Sequence, residues 1–408
     1  MPPRVFIVPR EIIYGQGALD SLANVPAKRA LIVTDKGVVA SGNTVERVQK
    51  VLQTKNVESR VFDGVEHDPS KGVVWSLFAT ARDFGPDLLI GLGGGSSIDS
   101  AKAAWVLYEH PDWAALPFTQ VQRQSFTAVL RQKARLVAIP TTSGTGSEVT
   151  RAAIVTDTDE KPPYKAVFAS AQLVPDVAIL DPSLPASMPP DVTANTGYDA
   201  FVHAVECYVL SEPSDLVDAI ALRAARVVLD WLPKAVANGK DMEARDRMHL
   251  AAMNAGMAFS NGRLGLVHGL AHQIGAGFGI PHGRANAFML CAVFAYLYPS
   301  YKARFISLAE NLGCAGPTDA AKVDRLLALC NNLKRQVGIP LAIKDSGLKP
   351  DVWSAGVGPE TEGYWRHMQP AALQMTPEAR RAAGSPATAD DVRELFWHAW
   401  NGTHAEIK

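Results

Sequence analysis

Between residues 29 and 182 one pattern recurs. A short run rich in Val, Ile and Leu is followed by small or hydroxyl residues, then by a stretch with apolar residues three and four apart. The runs are RALIVTD (29–35), SRVFDG (59–64), DLLIGLGGG (87–95), RLVAIPTT (135–142) and DVAILDP (176–182). Helical stretches such as TVERVQKVLQTK (44–55) and SSIDSAKAAWVLYE (96–109) lie between them. Strand and helix in alternation predict a parallel, doubly wound sheet. VFIVP (5–9) and EIIYG (11–15) predict a small hairpin ahead of it, and the poorly patterned stretch 110–133 reads as a loop or an excursion.

After Pro182 the strand pattern stops. ALRAARVVLDWLPKAV, EARDRMHLAAMNAGMAF and DAAKVDRLLALCNNLKRQV all keep helical spacing. A chain of 408 residues is too long for one ordinary core. The expectation is therefore an α/β domain over 1–190 followed by an all-α domain over 191–408.

A net charge of -1 leaves no basic surplus for nucleic acid. No window approaches the roughly 20 uncharged apolar residues of a membrane-spanning helix. The N-terminal MPPRVFIVPREIIYG lacks a basic region followed by a long apolar run, so no signal peptide is expected. Cys207, Cys291, Cys314 and Cys330 form no CxxC and read as reduced, mostly buried thiols. A soluble, cytoplasmic protein fits these features.

Two turns after predicted strands are candidates for a nucleotide. In DLLIGLGGGSSIDSAK, Gly93, Gly94 and Gly95 let the backbone approach a ligand, and the N–H groups opening the next helix can face a phosphate. Ser96, Ser97 and Asp99 belong to the same stretch, with Ser96 where the dinucleotide fingerprint has its third glycine. The glycines would equally serve a tight turn. In IPTTSGTGSEVT, Thr141, Thr142, Ser143, Thr145 and Ser147 offer hydroxyls to pyrophosphate or ribose. Ligands of open α/β sheets bind at such strand ends. Asp35 ends RALIVTD; it could accept from adenosine ribose hydroxyls and repel a 2′-phosphate, or be a turn residue.

The second half holds a different set. Asp199 and His203 are four apart, as are His268 and His272, so each pair shares a helix face. His282 lies between Pro281 and Gly283 and is placed on a bend. Half-buried imidazoles without a shared partner would be costly. One carboxylate with several imidazoles suits a divalent transition metal, either Fe(II) or Zn(II).

GGGSSIDSAK, PTTSGTGSEVT, LVPDVAILDPSL, TGYDAFVHAVE and GLVHGLAHQIGAGFGIPHGRANA run in this order across roughly residues 5 to 300. In these stretches the chain resembles the iron-containing (group III) alcohol dehydrogenases. The resemblance implies a Rossmann-like domain followed by an all-helical one, the architecture shared with dehydroquinate synthase. It implies a divalent metal on Asp199, His203, His268 and His282, iron by resemblance, and NAD(P) in a cleft between the domains. His272 matches a histidine near nicotinamide and metal that is not a ligand, which makes it the candidate proton relay; an imidazole titrating near 6.5 suits that task. Lys165 matches a lysine near the cofactor. A homodimer or larger homo-oligomer is implied as well.

The expected reaction is hydride transfer between NAD(P), NAD before NADP, and a small alcohol or aldehyde. The alternative is an NAD- and metal-dependent lyase resembling dehydroquinate synthase, whose motifs differ from those here. Arg151 and Arg263 stand where the family usually carries small or uncharged residues. A guanidinium suits a carboxylate or phosphonate, so these two, with neighbouring Phe259, are candidate contacts for a substrate with an anionic end, such as a semialdehyde or phosphonoaldehyde. Internal salt bridges are the other reading of the arginines. The last hundred residues match the family only loosely.

Overall fold

The computed structural model describes residues 3–159, 163–352, 387 and 389–407. The chain divides into two compact units, Met1–Pro189 with Gly239–Asn261, and Pro190–Asn238 with Gly262–Lys408.

The first unit is built on a six-stranded, all-parallel sheet in the order β1-β8-β5-β4-β2-β3. Its strands are β1 (Glu11–Tyr14), β2 (Arg29–Asp35), β3 (Glu58–Val65), β4 (Leu88–Gly93), β5 (Arg135–Pro140) and β8 (Val177–Leu180). Both faces are covered, which is why the central strands read as unbroken apolar runs. Alternate residues divide between two cores. Leu31, Val33 and Leu89 join Leu77, Phe84 and Trp105 on one side; Ala30, Ile32, Leu88 and Ile90 join Leu19, Val48 and Leu52 on the other. Helices α3 (Lys71–Phe84) and α4 (Gly95–Glu109) supply the first side, and α1 (Lys36–Ala40) and α2 (Thr44–Gln53) the second. Ser70 caps α3, its Oγ accepting from Val73 N, and Gly85 ends that helix in the left-handed region at φ 65°.

Three features differ from the sequence reading. Residues 5–9 do not pair with 11–15; β1 runs parallel to β8 instead. Only Arg10 separates the two runs, fewer residues than the two of a tight hairpin loop. The Asn261 side chain instead bridges Ile7, accepting from its N–H at 2.6 Å and donating to its carbonyl at 2.9 Å. Second, an antiparallel hairpin of β6 (Ala152–Asp157) and β7 (Tyr164–Ala169) stands apart from the main sheet. The sequence reading missed it. Third, a single cut near residue 190 is incomplete, because helix α8 (Met242–Asn261) belongs to the first unit. There Met253 packs with Val149, Ala178 and Leu180. The stretch 110–133 contains a short helix, α5 (Phe118–Ser125).

The second unit contains α6 (Pro190–Leu210), α7 (Asp215–Ala237), α9 (Leu266–Phe278), α10 (His282–Leu297), α11 (Lys302–Asn311), α12 (Asp319–Gln336) and α13 (Ala389–Asn401). Helix α6 is buried along nearly its whole length, and the polar side chains it buries include Asp199, His203 and Glu206. Residues 353–386, within the stretch that matches the family loosely, lie outside those described. Among the described residues, no helix is long and apolar enough to cross a membrane. All four cysteines are free and buried.

Candidate metal centre and nucleotide loops

Asp199 and His203 sit one turn apart on α6, and His268 comes from the first turn of α9. His282 opens α10 behind Pro281. One ligand atom from each of the four lies within 4.8 Å of all the others. Asp199 Oδ2 is 3.8 Å from His203 Nδ1, and its Oδ1 is 3.9 Å from His268 Nε2 and 3.6 Å from His282 Nε2. These gaps are too long for hydrogen bonds. Two ligands each about 2.1 Å from one tetrahedral ion lie roughly 3.4 Å apart, so the spacing is that of ligands around an ion. His268 Nε2 is buried with no hydrogen-bond partner. An orphaned imidazole nitrogen beside a buried carboxylate fits a divalent transition ion.

The packing that assembles this cluster depends on Gly283. A Cβ there would stand 2.0 Å from Asn195 O and 3.1 Å from Asp199 Cβ, so only glycine lets α10 start against α6. Asn286, one turn beyond His282, donates to Asp199 Oδ1 at 2.7 Å. Burial pushes the Asp199 carboxyl up, but His203, His282, His268 and the Asn286 amide together hold it below its ordinary value.

Glu206 was missed by the sequence reading. It is wholly buried on α6, two turns from Asp199. Its Oε1 accepts from Val267 N at 2.7 Å, capping the otherwise uncapped start of α9, and its Oε2 meets His268 Nδ1 at 2.5 Å. His272, one turn after His268, lies beside the cluster. Its ring is 4.9 Å from that of His282, but it is not among the four converging residues.

In the α/β unit the expected nucleotide residues gather at the C-terminal ends of β2, β4 and β5. Asp35 ends β2; its Oδ1 accepts from Val38 N at 3.0 Å and its Oδ2 from Ser97 Oγ at 3.2 Å. Gly93, Gly94 and Gly95 join β4 to α4. A Cβ on Gly95 would lie 2.8 Å from Thr145 Cγ2, so the glycine turn and the hydroxyl loop meet there. Ser96 Oγ accepts from Asp68 N at 3.3 Å, and Asp68 Oδ1 accepts from Lys165 Nζ at 2.7 Å, which ties β7 to the glycine turn. Burial pushes Asp68 up, but His67 and Lys165 outweigh it and hold it well below the usual carboxylate range.

The hydroxyl loop is held from behind. Ser143 Oγ meets His249 Nδ1 on α8 at 3.0 Å. Both oxygens of Asp99 are engaged, accepting from Ser147 Oγ at 2.5 Å and Ile154 N at 2.9 Å. Of the candidate substrate contacts, Arg151 precedes β6 with an exposed side chain, and Phe259 is half-buried on α8. Arg263 belongs to the helical unit. Its Nε donates to Leu210 O at 2.5 Å and its N–H to Ser211 Oγ at 3.1 Å, closing the C-terminal end of α6.

Residues 9–182 match the model of the iron-containing alcohol dehydrogenases, and residues 193–362 match that family's C-terminal model. The chain belongs to the iron-containing alcohol dehydrogenase family. It is an oxidoreductase of the alcohol dehydrogenase type. The NADPH-dependent butanol dehydrogenase of Clostridium saccharobutylicum is 39% identical over 84% of this chain and 87% of its own length. The solved alcohol dehydrogenase of Oenococcus oeni is 30% identical, with a TM-score of 0.84 over 98% of this chain and 100% of that one. The sulfoacetaldehyde reductase of Bifidobacterium kashiwanohense, solved in complex with NAD+, is 25% identical, with a TM-score of 0.78 over 98% and 99%. The Rossmann-like unit and the helical unit are the fold of these iron-containing alcohol dehydrogenases.

Proposed function

We propose that this chain interconverts a small primary alcohol and its aldehyde with NAD, around a divalent ion on Asp199, His203, His268 and His282. The observation that carries the reading is the cluster itself: three imidazoles and a carboxylate converging within 4.8 Å. Such an ion supplies Lewis acidity at the substrate oxygen. Fe(II) follows from the family, and Zn(II) suits the same donors.

The chain's own residues do the rest. Asn286 fixes the Asp199 carboxylate, and Glu206 fixes the His268 ring. His272, beside His282, moves the hydroxyl proton through a ring nitrogen. The glycine turn from Gly93 to Ser97 offers the N–H groups of α4 to the pyrophosphate. Thr141, Thr142 and Thr145 hydrogen-bond the dinucleotide, whereas the Ser143 and Ser147 hydroxyls, expected to do the same, hold the loop through His249 and Asp99; Lys165 adds a positive charge beside the turn. The Asp35 carboxylate disfavours a 2′-phosphate, which is the ground for NAD over NADP.

A substrate with an anionic end is the second reading. Arg151 favours it, with its exposed guanidinium, as does the activity named for the Bifidobacterium relative. Arg263 contributes less to it, since its guanidinium is already used on Leu210 O. In the same reading Phe259 is an apolar contact for the substrate. We also read the chain as a cytoplasmic homo-oligomer; its four free, buried thiols support a reducing compartment.

The test is anaerobic reconstitution with Fe(II) or Zn(II), followed by NADH and NADPH oxidation against neutral and anionic small aldehydes. Oxidation of NADH faster than NADPH is expected. Equal turnover of both aldehyde classes, unchanged in Arg151→Ala, would remove the anionic reading. A lyase would show no net change in NADH, and silence with both metals and both cofactors would overturn the dehydrogenase reading.

A further inference from the structure

Lys102 is a buried charge that the reaction above does not use. It lies on α4, two turns past the glycine turn, with no exposed surface. Its Nζ donates to three backbone carbonyls, Ser147 O at 2.6 Å, Thr150 O at 2.7 Å and Ala152 O at 2.9 Å. Two hydroxyls complete the shell, Thr150 Oγ1 at 3.0 Å and Ser147 Oγ at 3.3 Å. An ammonium has three protons and no acceptor, so three carbonyls take all it can give.

All five oxygens come from residues 147–152, the end of the hydroxyl loop and the start of β6. Each is neutral. Burial draws Lys102 down to about 8, with Asp99 and Glu148 opposing, so it is still an ammonium at neutral pH. A shell of neutral carbonyl and hydroxyl oxygens around one positive charge is how proteins replace the hydration of a monovalent cation. Asp99, one turn earlier on α4, grips the same segment through Ser147 Oγ and Ile154 N. One helix thus opens with the glycine turn and then holds the hydroxyl loop by two opposite charges.

We propose that Lys102 is a positioning residue for cofactor binding: its ammonium stands in for a bound monovalent cation and sets the conformation of residues 147–152. The role rests on the reading that the hydroxyl loop contacts the dinucleotide. A merely structural lysine would affect stability and leave cofactor affinity alone. A built-in cation makes a sharper demand. Once the side chain is cut back, a small free ammonium should do its work.

The test uses full-length protein and two readouts independent of turnover: NADH affinity by fluorescence titration, and backbone amide exchange over residues 147–154. In Lys102→Ala, NADH binding should weaken roughly tenfold, the loss expected when charge-assisted hydrogen bonds are removed. Exchange over 147–154 should rise above that of the rest of the α/β unit. Ammonium or ethylammonium should restore both, and sodium at equal ionic strength should not. Lys102→Met, whose side chain fills the space without a charge, should resist rescue. If Lys102→Ala fails to fold, Thr150→Val carries the exchange and affinity readouts at about a twofold effect, since it removes one neutral oxygen and keeps the shape, and Lys102→Met carries the loss of the charge. Unchanged exchange would overturn the role of Lys102. Faster exchange with unchanged NADH affinity would instead overturn the cofactor-loop reading on which the role rests. Faster exchange and weaker binding without rescue would overturn the stand-in cation.

Discussion

The two units each bury charge at their candidate sites, and they do so in opposite ways. In the α/β unit Lys102 gives its three protons to three carbonyls, and the protein alone completes the shell. In the helical unit Asp199 and Glu206 are buried among imidazoles, and His268 Nε2 is left with no hydrogen-bond partner. A buried polar group is normally satisfied. The first arrangement therefore needs nothing further to be stable, whereas the second is finished only by a ligand. The contrast separates a site whose charges organise backbone from one whose ionisable groups converge on a common point.

The strongest way to break the contrast is to collapse one side of it. Gly283→Ala puts a Cβ at 2.0 Å from Asn195 O, a backbone atom that cannot step aside without moving α6. Overpacking of this kind costs about 3 kcal/mol or more. Denaturant melts of the metal-free protein should show that loss, and zinc uptake should fall with it because His282 no longer meets Asp199. NADH affinity should fall far less, since the α/β unit keeps its own contacts. A variant with wild-type stability and full metal uptake would show that α10 can approach α6 by another route.

Much of both sites was legible in the sequence, and the omissions have a common form. The four converging residues and the two turns were all named from composition, spacing and family resemblance. Glu206, Asn286 and Lys102 were not, yet each lies on the same helix face as a residue that was. Glu206 follows His203 by three, Asn286 follows His282 by four, and Lys102 follows Asp99 by three. On a helix those are neighbours. The signal was present, and only its extension by one turn was lacking. The placement of α8 is different in kind. Its periodicity shows that it has a buried face and is silent on which unit covers that face. The β6–β7 hairpin alternates properly, but TDEKPP between its strands reads as a break rather than a turn.

The α/β unit should be vulnerable to acid. His249 is buried on α8 against Ser143, and burial pushes its imidazole down to about 4. The folded value lies below the ordinary 6.5, so on acidification the unfolded chain takes up this proton first. The stability associated with neutral His249 is present above about 6.5 and is lost as pH falls toward 4. The full loss is on the order of 3 kcal/mol. Urea melts at pH 7 and pH 5 should show a clear part of it in the wild type and much less in His249→Gln. Equal acid sensitivity in the two proteins would assign the effect to other groups.

The smallest expected effect tests the contrast most finely. Glu206 accepts from Val267 N with one oxygen and meets His268 Nδ1 with the other. A carboxylate can only accept, so the imidazole proton is held on Nδ1 and the Nε2 lone pair faces Asp199. Glu206→Gln keeps the shape and changes that logic. Its carbonyl oxygen is needed by Val267 N–H, so its NH2 turns to Nδ1, which must then accept. The proton moves to Nε2 and blocks the nitrogen meant for the ion. The substitution also removes one of two buried carboxylates that together balance a divalent charge. Loss of such an orienting partner weakens metal binding by about tenfold to a hundredfold. Competition for Zn(II) against a chromophoric chelator measures it directly, with NADH affinity as the control that should not move. Zinc affinity within twofold of wild type would mean that His268 is oriented by the packing of α9, and that the helical site is as self-sufficient as the one around Lys102.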